Sequence, residues 1–567
     1  MSTSTPKIPL SNANRKIHPL EICPSSSFDE PGLYERQQMT LSVDDVMRRL
    51  SQREEDIADI VDPRNKSSPN DHSMNNKSLQ MPSLRLLLTG IAVVLGAGFH
   101  FGFQISIINP LAETLQTFLV QSLERRYAVQ FTDIASTVLW SSVAGTLFIG
   151  AVIGAAIAPS TMAKIGSRWS FVLTSSVMLV ALAIGALSKP IESAELFIVS
   201  RFTVGICVGM ATTLQGVFLT EISPVYCRGF MGTLAGLSIN IGFLLASAFG
   251  LPQLFGTPSG WPLCFFAEMI PSAVLLVVSL FALFESPLEY LRRGDDLKAR
   301  KAIDAYYRRA QQHPDLLKEL RIELSLNSNV NQWKSIFTDR ATRCALYLSV
   351  LLNVTVSFSG IMAISFFGTL MLSAIGFSTR GAALANCLST LSGTAGCIVG
   401  SLSIDKIGRR FLILVSLSSL LAINVGMMGL VWTFVHYRMQ WLGYAFLVLF
   451  NIFLFVFSVG VGPMAWFIST ELTDSQNRPR VQSLSTSSQY ITCFICPILY
   501  SPLQKLVGPF SFMLFIIPLT FSTLYIYCFM PETQQRTISQ IRALLSEGIR
   551  DFNHETQEKS LANDCAR

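Results

Sequence analysis

The sequence predicts an all-α membrane protein, with about twelve transmembrane helices in two six-helix halves joined by a cytosolic helical bridge. Of 567 residues, 50% are hydrophobic and only 14% charged, with a mean hydropathy of +0.44, whereas soluble domains carry roughly 25% charged residues. Apolar runs of the ~20 residues that a hydrocarbon core requires recur along the chain. Three charged features also return in the same order at almost one spacing. Lys164-Ile165-Gly166-Ser167-Arg168 matches Lys406-Ile407-Gly408-Arg409-Arg410, Glu221 with Arg228 matches Glu471 with Arg478, and Glu285 matches Glu532. Internal repetition of this kind is how many membrane transporters are built.

Residues 1–83 are rich in Ser, Asn, Pro and charge and contain no apolar stretch long enough for a signal or an anchor, which predicts a disordered cytosolic tail. Val43, Val46, Met47, Leu50, Ile57 and Ile60 keep helical spacing, so one amphipathic helix over 42–61 can form there and dock on a cytosolic partner or the membrane surface. Asn65 and Asn76 begin glycosylation-type triplets, but a cytosolic tail receives no sugar.

The first half, 84–283, holds spans near 86–108, 135–158, 169–188, 195–219, 230–250 and 262–283. Residues 284–343 are too polar for the bilayer yet keep helical patterns such as Leu297, Ala299, Ala302, Ile303 and Tyr306, which predicts short bridging helices. The second half, 344–530, holds spans near 344–371, 381–403, 411–432, 442–467, 483–505 and 510–529, and 531–567 form a polar tail. Lys164, Arg168, Arg228, the basic segment 292–343, Lys406, Arg409, Arg410, Arg478 and Arg480 fall on one side, which the positive-inside rule makes the cytosol; Arg125 and Arg126 are the main exception. An even number of spans then places both termini in the cytosol.

Several function classes are excluded. The basic residues form no single patch that could follow a phosphate backbone, so nucleic acid is not a partner. Cys493 and Cys496 lie inside an apolar run without a cation to lower a thiol pKa, and the other cysteines keep no ligand spacing, so neither redox chemistry nor a metal is expected. No nucleophile-and-base arrangement suggests an enzyme, no phosphate loop suggests ATP-driven pumping, and no cofactor is implied. The named partners are the lipid bilayer and a small polar solute.

The motifs resemble the sugar-porter family of the major facilitator superfamily, most closely the animal facilitative glucose transporters. The likeness spans roughly 85–540. It rests on Phe101-Gly102-Phe103 and Asn109, Gly166 with Arg168, Arg201, Glu221-x-Ser223-Pro224 followed by Arg228-Gly229, and Glu285-Ser286-Pro287. It continues through Ser359-Gly360-Ile361, Gly408-Arg409-Arg410, Gly460-x-Gly462-Pro463 before Trp466, Glu471 with Arg478-Pro479, and Pro531-Glu532-Thr533 before Arg536. The resemblance implies the major facilitator fold, a plasma-membrane location, and uniport of a hexose such as glucose, or a similar small polar solute, by alternating access. It also implies a cytosolic latch of Arg168, Glu221, Arg228, Glu285, Arg409, Arg410, Glu471, Arg478 and Glu532 that pairs across the seam between halves. Exposed pairs contribute only roughly 0–1 kcal/mol each, so solute binding can tip such a network. Ser167 stands where the family has a second Arg and Ala163 where it has a polar or acidic residue, which predicts weaker closure in the first half.

In the cavity the chain departs from the family. Its amide positions fall at Gly236, Val356, Ser357 and Met362, an acidic position falls at Ser458, and an Asn-Trp pair becomes Gln489-Tyr490. The substrate-binding candidates that remain are Gln104, Ser357, Ser359, Trp466, Gln489 and Tyr490, with Asn109 a further contributor. Ser357 and Ser359 can instead bond to their own helix, and Trp466 can serve packing alone. Fewer amides leave open a different sugar, a non-sugar solute, or a non-transporting receptor on the same fold. Gln104 stands where proton-coupled relatives have an acid, and Glu268 and Arg201 are read as structural groups near the external helix ends, so uptake is expected to ignore an imposed pH gradient.

Overall fold

The computed structural model describes residues 82–128, 130–307, 316–325, 333–534 and 536–547, all belonging to the unit Leu79–Arg567. The tail helix over 42–61 lies outside these residues, as does the end of the carboxyl-terminal tail.

Among the described residues, eleven helical stretches are long and apolar enough to cross a membrane. The last, Arg478–Phe529, has 52 residues, about 78 Å of straight helix against a hydrocarbon core of about 30 Å. It holds two helices, Arg478–Val507 and Met513–Phe529, separated at Gly508, where φ is +56°. The described residues therefore hold twelve spans. The first half runs through Leu84–Leu95 with Gly98–Ser106 as span one, then Asp133–Ile165, Ser167–Leu187, Ala194–Ile222, Arg228–Phe249 and Pro262–Phe281. The second runs through Arg340–Val356 with Met362–Ala374 as span seven, then Thr379–Ile407, Arg409–Tyr437, Gln440–Val459, Arg478–Val507 and Met513–Phe529.

Helix does not stop where the first apolar run does. Ile108–Tyr127 carries span one onward until Ala128 takes up a left-handed conformation, because polarity marks where a helix leaves hydrocarbon and not where it ends. Pro287–Arg292, Asp296–Tyr306, Leu316–Ser325 and Lys334–Thr338 bridge the halves. Ala299, Ala302, Ile303 and Tyr306 are the buried stripe of that bridge, whereas Leu297, read into the same stripe, stays exposed. Tyr306 donates its hydroxyl to the Phe284 carbonyl at 2.8 Å, and Ser83, just before span one, donates to the Tyr306 carbonyl at 2.8 Å. The face carrying this bridge and the Gly166 and Gly408 turns is called the bridge face below.

Within each half, backbones touch. A Cβ on Gly154 of span two would lie 1.9 Å from the Ile206 carbonyl of span four, and one on Gly209 would lie 1.9 Å from the Ala151 carbonyl. Gly102 of span one meets the Ile239 carbonyl of span five in the same way, and Gly400 of span eight meets that of Val459 at the end of span ten. Small residues at such crossings are what allows helices to associate where lipid offers no hydrophobic drive. Between halves, span two faces span eleven and span five faces span eight.

Three spans have broken backbone among the described residues, two near their middles and one at its end. Span one breaks at Ala97 (φ −124°, ψ −79°), span seven at Gly360 (φ +105°), and span ten at Gly460 (φ −121°, ψ −98°). Broken backbone inside a membrane needs internal partners. Asn424 of span nine donates its amide to the Ser359 carbonyl at 3.0 Å, and Val461 N–H donates to Ser416 Oγ at 3.3 Å.

Candidate functional site

The two bridge-face turns share a construction. Gly166 (φ +86°) and Gly408 (φ +101°) adopt a conformation that side chains disfavour, and a Cβ on either would collide with the carboxylate beneath it, at 2.5 Å from Glu285 Oε2 or 2.7 Å from Glu532 Oε2. Glu285 accepts the Ser167 and Arg168 backbone N–H groups at 3.0 Å each. Glu532 accepts those of Arg409 and Arg410 at 2.9 and 3.1 Å. Both carboxylates therefore cap the helix that begins there and favour its positive end. Arg168 donates to the Ser279 carbonyl at 2.8 Å and Arg410 to that of Tyr527 at 2.7 Å, satisfying the last carbonyls of spans six and twelve. These four residues, expected to latch across the seam, hold together the hairpins of their own halves. Burial pushes the Glu285 carboxyl above the usual carboxylate range, against the pull of its backbone donors.

The seam itself is held elsewhere. Arg409 is buried with Nη2 2.9 Å from Asp405 Oδ1 and 3.3 Å from Glu471 Oε1, and Thr533 donates to the other Glu471 oxygen at 2.9 Å. Asp405 Oδ2 accepts the Phe230 N–H at 2.9 Å, so a carboxylate of the second half caps the first turn of span five in the first. Gly229 leaves the room: its Cβ would lie 2.4 Å from Arg409 Nη2. In the first half the matching positions are Ala163 and Ser167, and Glu221 Oε1, the counterpart of a Glu471 oxygen, is buried without a hydrogen-bond partner. Arg478 is buried and donates to the Thr470 carbonyl at 3.0 Å, and Arg228 begins span five. Arg292 of the bridge donates to the Ser475 carbonyl at 2.7 Å.

Toward the membrane centre, hydroxyl pairs continue the seam: Thr220 with Thr470 at 2.6 Å, Thr213 with Thr486 at 3.1 Å, and Thr212 with the Tyr490 hydroxyl at 2.6 Å. Ser458 donates to Asn240 Oδ1 at 3.1 Å on the other flank. Between these lies an aromatic trio. Phe101 meets Trp466 edge-on at 5.0 Å between ring centres and Tyr490 at 5.5 Å, while Trp466 and Tyr490 are 6.4 Å apart. Gln489 is 1% exposed, and its Oε1 has no hydrogen-bond partner.

The remaining candidates are engaged with protein. Ser357 bonds the Gln489 carbonyl at 3.3 Å and accepts from Thr492 at 2.8 Å, and Ser359 donates to the Val356 carbonyl of its own helix at 2.8 Å. Gln104 uses both ends of its amide, accepting from Arg201 Nη1 and donating to Glu268 Oε2 at 2.6 Å. At Gly236 a Cβ would lie 2.5 Å from the Pro463 ring, so a side chain has no room there without movement of that ring.

Sequence reading overlooked several side chains here. Asn353 donates to Ser485 Oγ at 2.7 Å, and Gln482 donates to the Trp466 carbonyl at 2.9 Å, fixing the backbone beneath the ring. His100 completes a buried cluster with Glu268 and Ser272. A histidine inside an apolar run was the signal available for it.

Residues 89–545 match the family described as Sugar (and other) transporter, a family of carriers and not of enzymes. Solute carrier family 2, facilitated glucose transporter member 3, of Gallus gallus is 27% identical over 473 residues, covering 82% of this chain and 92% of that protein. Facilitated glucose transporter member 5 of Mus musculus is 26% identical over 477 residues, covering 82% and 92%. The solved structure of the MFS proton:xylose symporter XylE bound to 6-bromo-6-deoxy-D-glucose superimposes with a TM-score of 0.71 at 19% identity, covering 81% of this chain and 99% of that one. A twelve-span chain with paired bridge-face turns and a match over most of its length is thereby placed: it belongs to the sugar (and other) transporter family of the major facilitator superfamily.

Proposed function

We propose that the chain carries a hexose such as glucose, or a similar small polar solute, down its gradient by alternating access, with the bridge face and both termini in the cytosol and the plasma membrane as its location. The observation that carries this reading is the buried amide oxygen of Gln489, which has no hydrogen-bond partner and lies on span eleven next in sequence to Tyr490. A buried amide oxygen with a free acceptor position can take a hydrogen bond from a hydroxylated solute. Trp466 and Tyr490 offer apolar faces to a sugar ring, and separation of the halves frees the Tyr490 hydroxyl from Thr212. Ser357 supports Gln489 from below through its carbonyl. Gln104 and Ser359, with their polar atoms engaged, shape the path through packing. The tail remains a candidate site for a cytosolic partner.

An uptake panel of radiolabelled hexoses, polyols and organic acids, in cells lacking their own carriers, tests this reading. Uptake of at least one hexose, with Gln489→Ala weakening its affinity by about 1–3 kcal/mol, is expected. The double variant Val356→Gln, Ser357→Gln should move selectivity toward glucose. Binding of a hexose without flux in proteoliposomes would instead mark a receptor on the same fold.

A further inference from the structure

A cavity of about 510 Å3 lies on the face opposite the bridge, walled wholly by the first half. Span one begins beside the bridge at Ser83, so its continuation, Ile108–Tyr127, projects on the other side. Glu113, Thr117, Gln121 and Arg125 line the cavity at four-residue intervals along about 18 Å of that helix. The connection between spans three and four adds Lys189 and Glu192, and the connection between spans five and six adds Pro258 and Trp261. Trp261 is buried and meets the Phe118 ring at 5.3 Å between centres, which makes an aromatic floor.

The walls are fixed by protein contacts. Ser122 donates to the Glu192 carbonyl at 2.7 Å and accepts the Ala194 N–H at 3.0 Å. These bonds hold Glu192 at φ +51°, a left-handed conformation that residues other than glycine rarely adopt, and its carboxylate pairs with Arg125. Lys189 is anchored as well: its ammonium donates to the Pro258 carbonyl and so ties the two connections together.

Two charges are left over. Among the described residues, neither the Lys189 ammonium nor the Glu113 carboxylate is paired with an opposite charge, and the two do not pair with each other although they line one cavity. An ammonium with one hydrogen bond keeps two further donors, and a charge drawn partly out of water attracts a counter-charge more strongly than one in bulk solvent. A simple anion would satisfy Lys189 and meet the like charge of Glu113, and a simple amine would do the reverse. A ligand bearing both charges satisfies both. We propose that this cavity binds a free amino acid, its carboxylate on Lys189, its ammonium on Glu113 and an apolar side group over the Phe118–Trp261 floor. The volume lies within the roughly 300–1,000 Å3 of small-molecule sites. Because every wall belongs to one half, the site is separate from a solute path on the seam.

Isothermal titration calorimetry of the full chain in nanodiscs tests this with L-phenylalanine, with phenethylamine, which lacks the carboxylate, and with 3-phenylpropionate, which lacks the amine. L-Phenylalanine should bind saturably, and each truncated probe at least about fivefold more weakly. That comparison is made on the unaltered chain and needs no variant. Lys189→Met should weaken L-phenylalanine about fivefold and leave phenethylamine unchanged, whereas Glu113→Gln should weaken L-phenylalanine about fivefold and leave 3-phenylpropionate unchanged. Absence of saturable L-phenylalanine binding, a truncated probe that binds as tightly as L-phenylalanine, or variants that treat all three probes as the wild type does would each overturn the proposal. So would displacement of L-phenylalanine by D-glucose, which would put the ligand in the solute path. No arm of the test requires flux, so a chain that carries no hexose would count against the carrier reading and leave the calorimetry to decide this site.

Discussion

The Gly166 and Gly408 turns are built alike up to one difference. Each has a glycine over a carboxylate, a carboxylate capping the following helix, and an arginine closing the last carbonyls of the half. The second turn adds Asp405, Arg409 and Glu471, and through Phe230 that addition reaches into the other half. What the turns share is architecture, needed in every state of the cycle. What only one of them has includes Asp405, whose bond to the Phe230 N–H crosses the seam and, on the proposed alternating-access reading, breaks when the seam opens. Charges that look equivalent along the sequence thus divide into those that hold a hairpin and those that report which way the carrier faces.

The comparison breaks most visibly at its asymmetric position. Arg409→Ala leaves two carboxylates with reduced compensation and should cost about 3–5 kcal/mol, seen as a lower melting temperature and faster labelling of a cysteine introduced on the bridge face. The matched change, Ser167→Ala, should stay within about 0.5 kcal/mol. Equal effects of the two would dissolve the distinction. Next come the shared parts: Glu285→Gln and Glu532→Gln should each cost about 1–2 kcal/mol through a weakened cap. A gap between them much above ~1 kcal/mol in thermal stability would mean that the two turns are not alike after all. A smaller gain follows from copying the missing part into the first half. Ala163→Asp with Ser167→Arg, placed near the unpartnered Glu221 oxygen, should slow turnover about fivefold, or ~1 kcal/mol; unchanged turnover would show that the first half has no room for a latch. The least effect concerns pH. Burial raises the Glu285 carboxyl, so the folded chain keeps that proton to higher pH than the unfolded chain does. The stability linked to it is present at low pH and lost as pH rises through the raised value. Melting temperatures of wild type and Glu285→Gln should therefore draw together with rising pH over that window, and a constant gap would remove the effect.

Twelve spans, two halves, the bridge and both glycine turns were legible because each has a local signature: an apolar run of bilayer length, a Gly between charges, a helical stripe such as Ala299 to Tyr306. The roles of the charged residues were less so. Glu285 and Glu532 read as latch residues because the sequence lists carboxylates and arginines without saying that the nearest donors are backbone N–H groups of a helix start. Asp405 stands immediately before the repeated stretch, yet its reach to Phe230 depends on how two distant spans meet. In the cavity, side chains were counted by type, whereas the fold sorts them by whether their polar atoms are already engaged. Gln104 and Ser359 are, and Gln489 keeps one oxygen without a partner. His100 escaped notice because its partners lie on span six, far along the chain.

The backbone contacts at Gly154, Gly209, Gly102 and Gly400 have a mechanical corollary. Where main chain rests on main chain there is no compressible layer of side chains between helices, and close-packed interiors transmit strain instead of absorbing it. Each half then resembles a stiff lever, which passes a shift at Thr212 and Tyr490 along its length instead of absorbing it. A single added methyl at one of these glycines should soften the lever, and both mouths of the carrier would feel it at once.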